Sequence, residues 1–179
     1  MRVEDFVKNY IFKRRSIRKF QDKTVSDKQI KLILEAGMSA PSAWNRKPWS
    51  FIVIKERKII EKLSEIHIHA RMCKYAQVII SVLGKDDDEK WIEDCSAATQ
   101  NMLLTITAMG LGSVWVDIRD VHYKTENDEI TAKKLLKVPA DWRILNLLPI
   151  GYPAEYKDSR TQYDNNLVFV NQFGNGEIL

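Results

Sequence analysis

Several features that mark large classes of proteins are missing from this sequence. No uninterrupted apolar run approaches the roughly 20 residues that a membrane helix needs. The first residues carry two early acids and do not resemble a secretory signal. Cysteine is scarce, since Cys73 and Cys95 can form at most one disulfide, which is too little for a disulfide framework. These absences exclude a membrane-spanning or disulfide-stabilised class and predict a cytoplasmic protein.

The sequence also lacks the short motifs of several well-known enzyme classes. There is no G-x-G-x-x-G and no G-x-x-x-x-G-K-[ST], so neither of the usual phosphate-binding glycine loops is present. G-x-S-x-G and H-E-x-x-H are absent too, which removes the best-known hydrolase and zinc-protease interpretations. His67 and His69, with Cys73 nearby, have no fourth ligand at a suitable spacing, so we predict no metal site.

What remains is the composition of an ordinary globular domain. The chain has 179 residues, of which 45% are apolar and 29% charged, with a formal net charge of +4. A chain of this length buries roughly 70% of the surface that its unfolded form exposes. No linker, internal repeat or low-complexity block divides the chain, so we predict a single domain over 1–179. The modest positive charge suits either weak nucleic-acid binding or solubility alone.

The hydrophobic pattern alternates between helical and strand-like segments. It predicts helices over 3–13, 26–36, 58–66, 90–109 and 128–136, and strands over 50–55, 77–83, 113–118 and 143–150. Ser26–Gln29 is a capping-box pattern that begins the second helix, and Gly37 is expected to end it. The near-continuous apolar run over 77–83 is typical of a central strand that is covered on both faces. Strands that alternate with helices predict an α/β or α+β fold.

The strongest local signal is a cluster of positive charge. Arg14, Arg15, Ser16 and Arg18 lie within five residues, directly after the first predicted helix. Guanidinium groups and a hydroxyl that converge from one side are the donors that a phosphate monoester needs. An isolated basic run is also typical of a solvated helix end, and it can contact the phosphates of a nucleic acid. The cluster by itself leaves these alternatives open.

Combined with later segments, the cluster resembles a known family. The sequence R-R-S-I-R-K-F at 14–20, followed by A-P-S-A-W-N-R-K-P-W at 40–49, resembles the opening of the nitroreductase family of FMN-dependent oxidoreductases. G-L-G-S-V-W at 110–115 and L-P-I-G-Y-P at 148–153 occur where that family has similar segments. The resemblance implies an α+β fold with a central, mainly antiparallel sheet flanked by helices. It also implies a domain-exchanged homodimer with FMN sites at the interface, in which the tail 154–179 reaches the partner subunit.

The same resemblance implies FMN-binding roles for particular residues. They are Arg14, Arg15, Ser16 and Arg18 at the phosphate and ribityl chain; Pro41, Ser42 and Asn45 in a loop that reaches the flavin from the other subunit; Arg71 near the pyrimidine edge; Trp115, Val116 and Asp117, whose backbone N–H groups face the isoalloxazine ring; and Arg160, a late arginine that closes on the phosphate. No side chain is implied as an acid or base, because FMN carries the chemistry. Lys47 stands where the family usually has glutamine, which adds a positive charge near the substrate mouth.

The activity that the resemblance implies is hydride transfer. NAD(P)H would reduce bound FMN and leave, and a nitroaromatic, quinone or similar flat acceptor would then take its place in a ping-pong cycle. Another flavin reaction on the same fold, such as dehydrogenation or reductive dehalogenation, stays open, and a basic nucleic-acid-binding module is a further alternative. The leading interpretation expects a homodimer with neither a nucleic-acid nor a membrane partner.

Overall fold

The computed structural model describes residues 2–120 and 128–175, and its helices follow the predicted order. In chain order the α-helices are α1 (Val3–Phe6), α2 (Asp27–Met38), α3 (Arg57–Ser64), α4 (Trp91–Ala108) and α5 (Asp128–Leu136). α1 continues into a π-helical turn over Val7–Phe12, and 3-10 turns occur at Ala43–Asn45, Ile68–Tyr75 and Asn165–Leu167.

An antiparallel sheet forms the centre of the molecule. Its strands are β1 (Trp49–Ile54), β2 (Val78–Lys85), β3 (Gly112–Ser113), β4 (Val116–Asp117) and β5 (Trp142–Gly151). Their order is β1-β2-β5-β3, with β4 also paired to β5, and each of these pairings is antiparallel. The α+β fold is therefore confirmed. The strand predicted over 113–118 divides into β3 and β4, because Val114 and Trp115 leave the ladder between them.

Helices cover both faces of the sheet, which explains its apolar sequence. On β2, Ile80 and Val82 belong to a core cluster shared with α2 and α4, whereas Ile79 and Leu83 belong to a cluster shared with α3 and α5. Each of these side chains is almost fully buried. The continuous apolar run of β2 thus follows from burial on two sides, as the sequence predicts.

The start of α2 matches the prediction, but its end does not. Ser26 Oγ accepts the Gln29 N–H at 3.3 Å, and the Gln29 side chain accepts the Ser26 N–H at 3.0 Å. The helix continues through Gly37 to Met38 instead of ending at Gly37. A Cβ on Gly37 would lie 3.0 Å from Met102 Cγ, so this glycine permits close packing of α2 on α4 and is not a helix stop.

The segment before α2 meets the segment after β5 beside β3, and the tail from 161 to 175 is then largely exposed. Residues 14–21 run beside β3 and beside the segment that follows β5. Within the described residues, the strand-like run 167–170 pairs with no other strand. Leu167 and Phe173 expose 75% and 91% of their surface. No helix within residues 2–120 or 128–175 is long and apolar enough to cross a membrane.

Candidate active site

The segment that carries the early arginines is fixed to the sheet edge by its backbone. The Ile17 N–H donates to the Ser113 carbonyl of β3 at 2.9 Å, and Ser16 forms a parallel bridge to the same residue. Gly112 allows this approach, because a Cβ there would lie 2.7 Å from Ile17 Cγ2. The side chains on either side of Ile17 are therefore presented from one defined place on the sheet.

The chain after β5 returns to this place and adds a third arginine. The Arg160 N–H donates to the Phe12 carbonyl at 3.0 Å. The Arg15 side chain donates to the Asp158 carbonyl. These contacts bring Arg160 to the same region as Arg14 and Arg15, although it is remote from them in sequence. We refer to Arg14, Arg15 and Arg160 as the arginine cluster.

The arginine cluster is a concentration of like charge. Burial, together with repulsion from Arg160 and Arg15, lowers the pKa of the Arg14 guanidinium. None of the ion pairs formed among the described residues includes any of the three arginines. An anion bound among them would relieve the repulsion and accept their N–H groups. The donor set therefore fits the phosphate group of a mononucleotide.

Arg18 makes its described contacts through the backbone instead. Its N–H donates to Glu155 Oε1 at 2.5 Å, and the Lys19 N–H donates to the same oxygen at 3.3 Å. Lys157 Nζ lies 3.4 Å from this oxygen and donates to the Ser16 carbonyl at 2.5 Å. Glu155 and Lys157 thus fix the backbone of the segment. The described contacts do not place the exposed Arg18 side chain in the arginine cluster.

β4 places the predicted segment Trp115–Asp117 on the same side of the sheet. Val116 pairs with Leu147 of β5, while Ser113, beside the arginine segment, pairs with Ile150. At about 3.3 Å per residue, the step from Ile150 to Leu147 spans roughly 10 Å. Along this single sheet edge, the arginine segment and the predicted flavin contacts are therefore separated by about the length of one mononucleotide.

His67 anchors the end of β4, a role that the sequence does not reveal. Its Nδ1 accepts the His69 N–H at 3.1 Å, so the ring proton lies on Nε2, which donates to the Asp117 carbonyl at 3.1 Å. Burial lowers the pKa of His67, and the neutral ring satisfies both hydrogen bonds. No motif joins positions 67 and 117, so only tertiary structure exposes this contact.

Arg71 faces a cavity beside His67. The cavity has a volume of about 300 Å³ and is lined by Ser64, Glu65, His67, Ile68, Arg71 and Lys74. Because His67 contacts Asp117, the cavity adjoins the end of β4.

The fully buried Cys73 has a thiol pKa raised to about 12 by burial. In the part of the chain that the structure describes, no three His, Cys, Asp or Glu side chains group as metal ligands.

The loop that contains Pro41, Ser42 and Asn45 has a strained backbone. Trp44, Asn45 and Lys47 have φ angles of 51°, 57° and 54°. This left-handed conformation costs a residue other than glycine on the order of 1 kcal/mol or more. The Lys47 N–H donates to Ser42 Oγ at 3.0 Å, which closes the loop on itself. The strain indicates that the loop is held in one particular shape.

This loop lies near the opposite end of α4 from the arginine cluster. Both carboxylate oxygens of Asp94, near the start of α4, accept the Ala43 N–H at 3.1 Å. Ile17, in contrast, packs against Gly112, just after the end of α4. α4 has 18 residues, so at about 1.5 Å per residue its ends are roughly 27 Å apart. The loop is attached at Asp94, so roughly 21 Å of helix separates it from the arginine cluster of the same chain.

Comparison with known proteins identifies the family. The nitroreductase family model matches residues 11–72 and 67–152. The chain belongs to the nitroreductase family. A family relative from Methanothermobacter thermautotrophicus, named as an NADH dehydrogenase/NAD(P)H nitroreductase, is 37% identical over 164 residues, which cover 89% of this chain and 84% of the relative. Family membership confirms the resemblance seen in the sequence and makes the chain an oxidoreductase.

Solved structures agree with this assignment of a nitroreductase fold. An FMN-dependent nitroreductase from Clostridium difficile R20291 superposes with a TM-score of 0.89 at 30% identity, covering 92% of this chain and 99% of that one. A nitroreductase from Desulfovibrio desulfuricans in complex with FMN superposes with a TM-score of 0.75 at 31% identity, covering 92% and 95%. Of the predicted site residues, Arg160 alone lies beyond the segments that the family model matches, so its place rests on the structure.

Proposed function

We propose that this chain is an FMN-dependent NAD(P)H oxidoreductase that passes hydride to a nitroaromatic, quinone or similar flat acceptor. The observation that carries the proposal is the arginine cluster, in which Arg14 is partly buried and its guanidinium is repelled by those of Arg160 and Arg15, so that the three groups together favour an anion. The names of the related structures support FMN as the molecule that supplies that anion.

In this proposal the cofactor lies along the sheet edge from the arginine cluster to β4. Arg14, Arg15 and Arg160 hold the phosphate by charge-assisted hydrogen bonds, and the Ser16 hydroxyl adds a further donor. The backbone of Trp115–Asp117 orients the ring system from β4. His67 fixes the Asp117 carbonyl at 3.1 Å, so it acts as a positioning residue.

Arg71 has an electrostatic role in the proposal. Its cavity adjoins the end of β4, and a cation there stabilises negative charge on the pyrimidine edge of a flavin. When bound, FMN supplies the chemistry by accepting a hydride from a nicotinamide and delivering it to an acceptor. The protein then needs no general base and contributes position and charge.

The dimer completes the proposed site. Because the loop at 41–45 is far from the arginine cluster of its own chain, the loop of a partner subunit supplies the remaining flavin contacts. Residues 154–160 contact the chain's own arginine segment, for example through Glu155. The exposed part of the tail, from 161 to 175, is therefore the segment available to reach the partner.

Cofactor binding by an arginine variant tests the proposal. We expect the purified chain to be yellow, or to become so when FMN is added. Loss of one charge-assisted contact costs about 1.5–3 kcal/mol, so R14A should weaken FMN binding about 10- to 100-fold in a titration. R2A is the matched control, because the Arg2 side chain is 82% exposed and lies outside the site.

Two outcomes contradict the proposal. If R14A binds FMN as tightly as R2A does, the phosphate is not held by the arginine cluster. If the FMN-loaded chain oxidises neither NADH nor NADPH with nitro or quinone acceptors, the reaction is a different one, such as dehydrogenation or reductive dehalogenation.

A further inference from the structure

Trp44 is a large apolar residue with an unusually exposed side chain. It exposes 70% of its surface, whereas Trp49, a few residues later, packs against the core. Its φ angle of 51° is one that bulky residues rarely adopt. An exposed indole in a strained conformation has no role in the core of its own chain. We therefore expect the Trp44 indole to contact a molecule other than its own chain.

The position of Trp44 is built into the loop. The neighbouring Ala43 N–H is bound by both oxygens of Asp94, a side chain that is only 7% exposed. On the other side, the Ser42 hydroxyl accepts the Lys47 N–H at 3.0 Å. These contacts hold the backbone on both sides of the indole, so the ring is presented in a fixed place.

One cation covers the ring, and a second follows it in sequence. The Arg46 guanidinium carbon lies 4.4 Å from the centroid of the Trp44 indole. Arg46 Nη1 is 3.5 Å from Oδ2 of Asp88, a carboxylate on the β2–α4 connection that is only 8% exposed. The guanidinium thus covers one face of the indole and leaves the other open. Lys47 follows directly and is exposed.

We propose that Trp44, Arg46 and Lys47 form a specificity site for flat acceptors that carry a carboxylate or similar anion. The inference rests on the proposed function, because the loop then borders the flavin of the partner subunit. The open face of the indole stacks on the acceptor ring. Lys47 and the remaining N–H groups of Arg46 attract its anionic substituent. Anionic flat acceptors are therefore the preferred oxidising substrates.

A pair of acceptors that differ only in charge tests this assignment. The ratio of kcat/KM for 4-nitrobenzoate to kcat/KM for 4-nitrobenzamide should fall about tenfold in K47Q, the loss expected for one charge-assisted contact. K31Q is the matched control, since Lys31 lies on α2 with its side chain 79% exposed and should leave the ratio unchanged. W44A should lower kcat/KM for both acceptors, and W44F should restore part of it.

A binding measurement checks the site without turnover. Naphthalene-2-carboxylate accepts no hydride under these conditions, and calorimetry should show that it binds the FMN-loaded chain about tenfold more weakly in K47Q than in K31Q. If K47Q leaves both the acceptor ratio and this affinity unchanged, the charge assignment is wrong. If K47Q raises KM for NADPH but leaves the acceptors unaffected, the cations serve the nucleotide and the inference is overturned.

Two further outcomes separate this inference from the proposed function. If W44A turns a dimer into monomers in sedimentation, Trp44 is an interface residue and the acceptor assignment fails, although the oxidoreductase activity stands. If the chain with no substitutions binds no FMN or oxidises no NAD(P)H, the proposed function itself fails, and the acceptor preference fails with it.

Discussion

At the scale of single residues, His67 makes a prediction about pH. Burial lowers its pKa below the usual value of 6.5, while the Asp117 carbonyl and the Asp117 and Asp128 charges oppose the shift and His69 adds to it. The unfolded chain therefore takes up a proton near pH 6.5 that the folded chain does not. The contribution of His67 to stability is present above this pH and declines below it, by at most about 1.4 kcal/mol per pH unit.

Denaturant unfolding at several pH values measures this effect. The free energy of unfolding should fall more steeply between pH 7 and pH 5 in the chain with no substitutions than in H67Q. H69Q is the control, because the neighbouring His69 is exposed. Equal slopes for H67Q and the unsubstituted chain would show that the buried imidazole does not resist protonation.

The two tryptophans of the loop show what a sequence can predict about single residues. Trp49 begins the apolar strand β1 and is partly buried against the core, as its place in the hydrophobic pattern favours. The exposure and left-handed backbone of Trp44 could not be predicted, since the loop is held at the neighbouring Ala43 by Asp94, a residue on another element. Likewise, the burial that lowers the pKa of His67 comes from tertiary packing, and the Asp117 carbonyl that its ring contacts is remote in sequence.

At the scale of elements, Gly112 couples β3 to the arginine segment. A Cβ at this position would lie 2.7 Å from Ile17 Cγ2 and 2.8 Å from Ile17 Cβ, so G112A must displace the segment. Overpacking of this kind costs about 1–3 kcal/mol. We expect G112A to lower stability and also to weaken FMN binding, because the displaced backbone carries Arg14 and Arg15.

The control for G112A is an overpacked glycine elsewhere. A Cβ on Gly37 would meet Met102 at 3.0 Å inside the α2–α4 contact. G37A crowds a contact away from the arginine segment, so it should leave FMN affinity unchanged whatever its effect on the melting temperature. If both variants weaken FMN in proportion to their lost stability, the effect of G112A is global and the coupling is refuted.

Secondary structure that depends on local sequence patterns could be predicted. Secondary structure that depends on pairing with another segment could not. The helices, the central strand β2 and the Ser26 cap follow from periodicity and local hydrogen bonding. The run 167–170 has the composition of a strand, yet it pairs with no strand among residues 2–120 and 128–175. A strand needs a neighbour to satisfy its backbone, and sequence composition does not say which chain supplies one.

At the scale of the whole molecule, the separation of the loop from the arginine cluster has a consequence for a dimer. The order of motifs along a sequence gives no distances between them. From sequence alone, the arginine cluster and the loop at 41–45 could therefore have belonged to the same site of one chain. The part of α4 from Asp94 to Ala108 separates them by roughly 21 Å. A site that needs both sets must therefore combine the arginines of one subunit with the loop of the other.

Mixed dimers give the last prediction. When R14A and N45A subunits are combined, one site of the heterodimer receives both defects and the other receives neither. We expect such a heterodimer to bind half an FMN per subunit at the affinity of the unsubstituted protein, while either homodimer binds weakly. The reciprocal control pairs an R14A/N45A double variant with an unsubstituted subunit, which places one defect in each site and should leave no tight site. A tight site in that control, with none in the R14A and N45A mixture, would show that each subunit builds its own site.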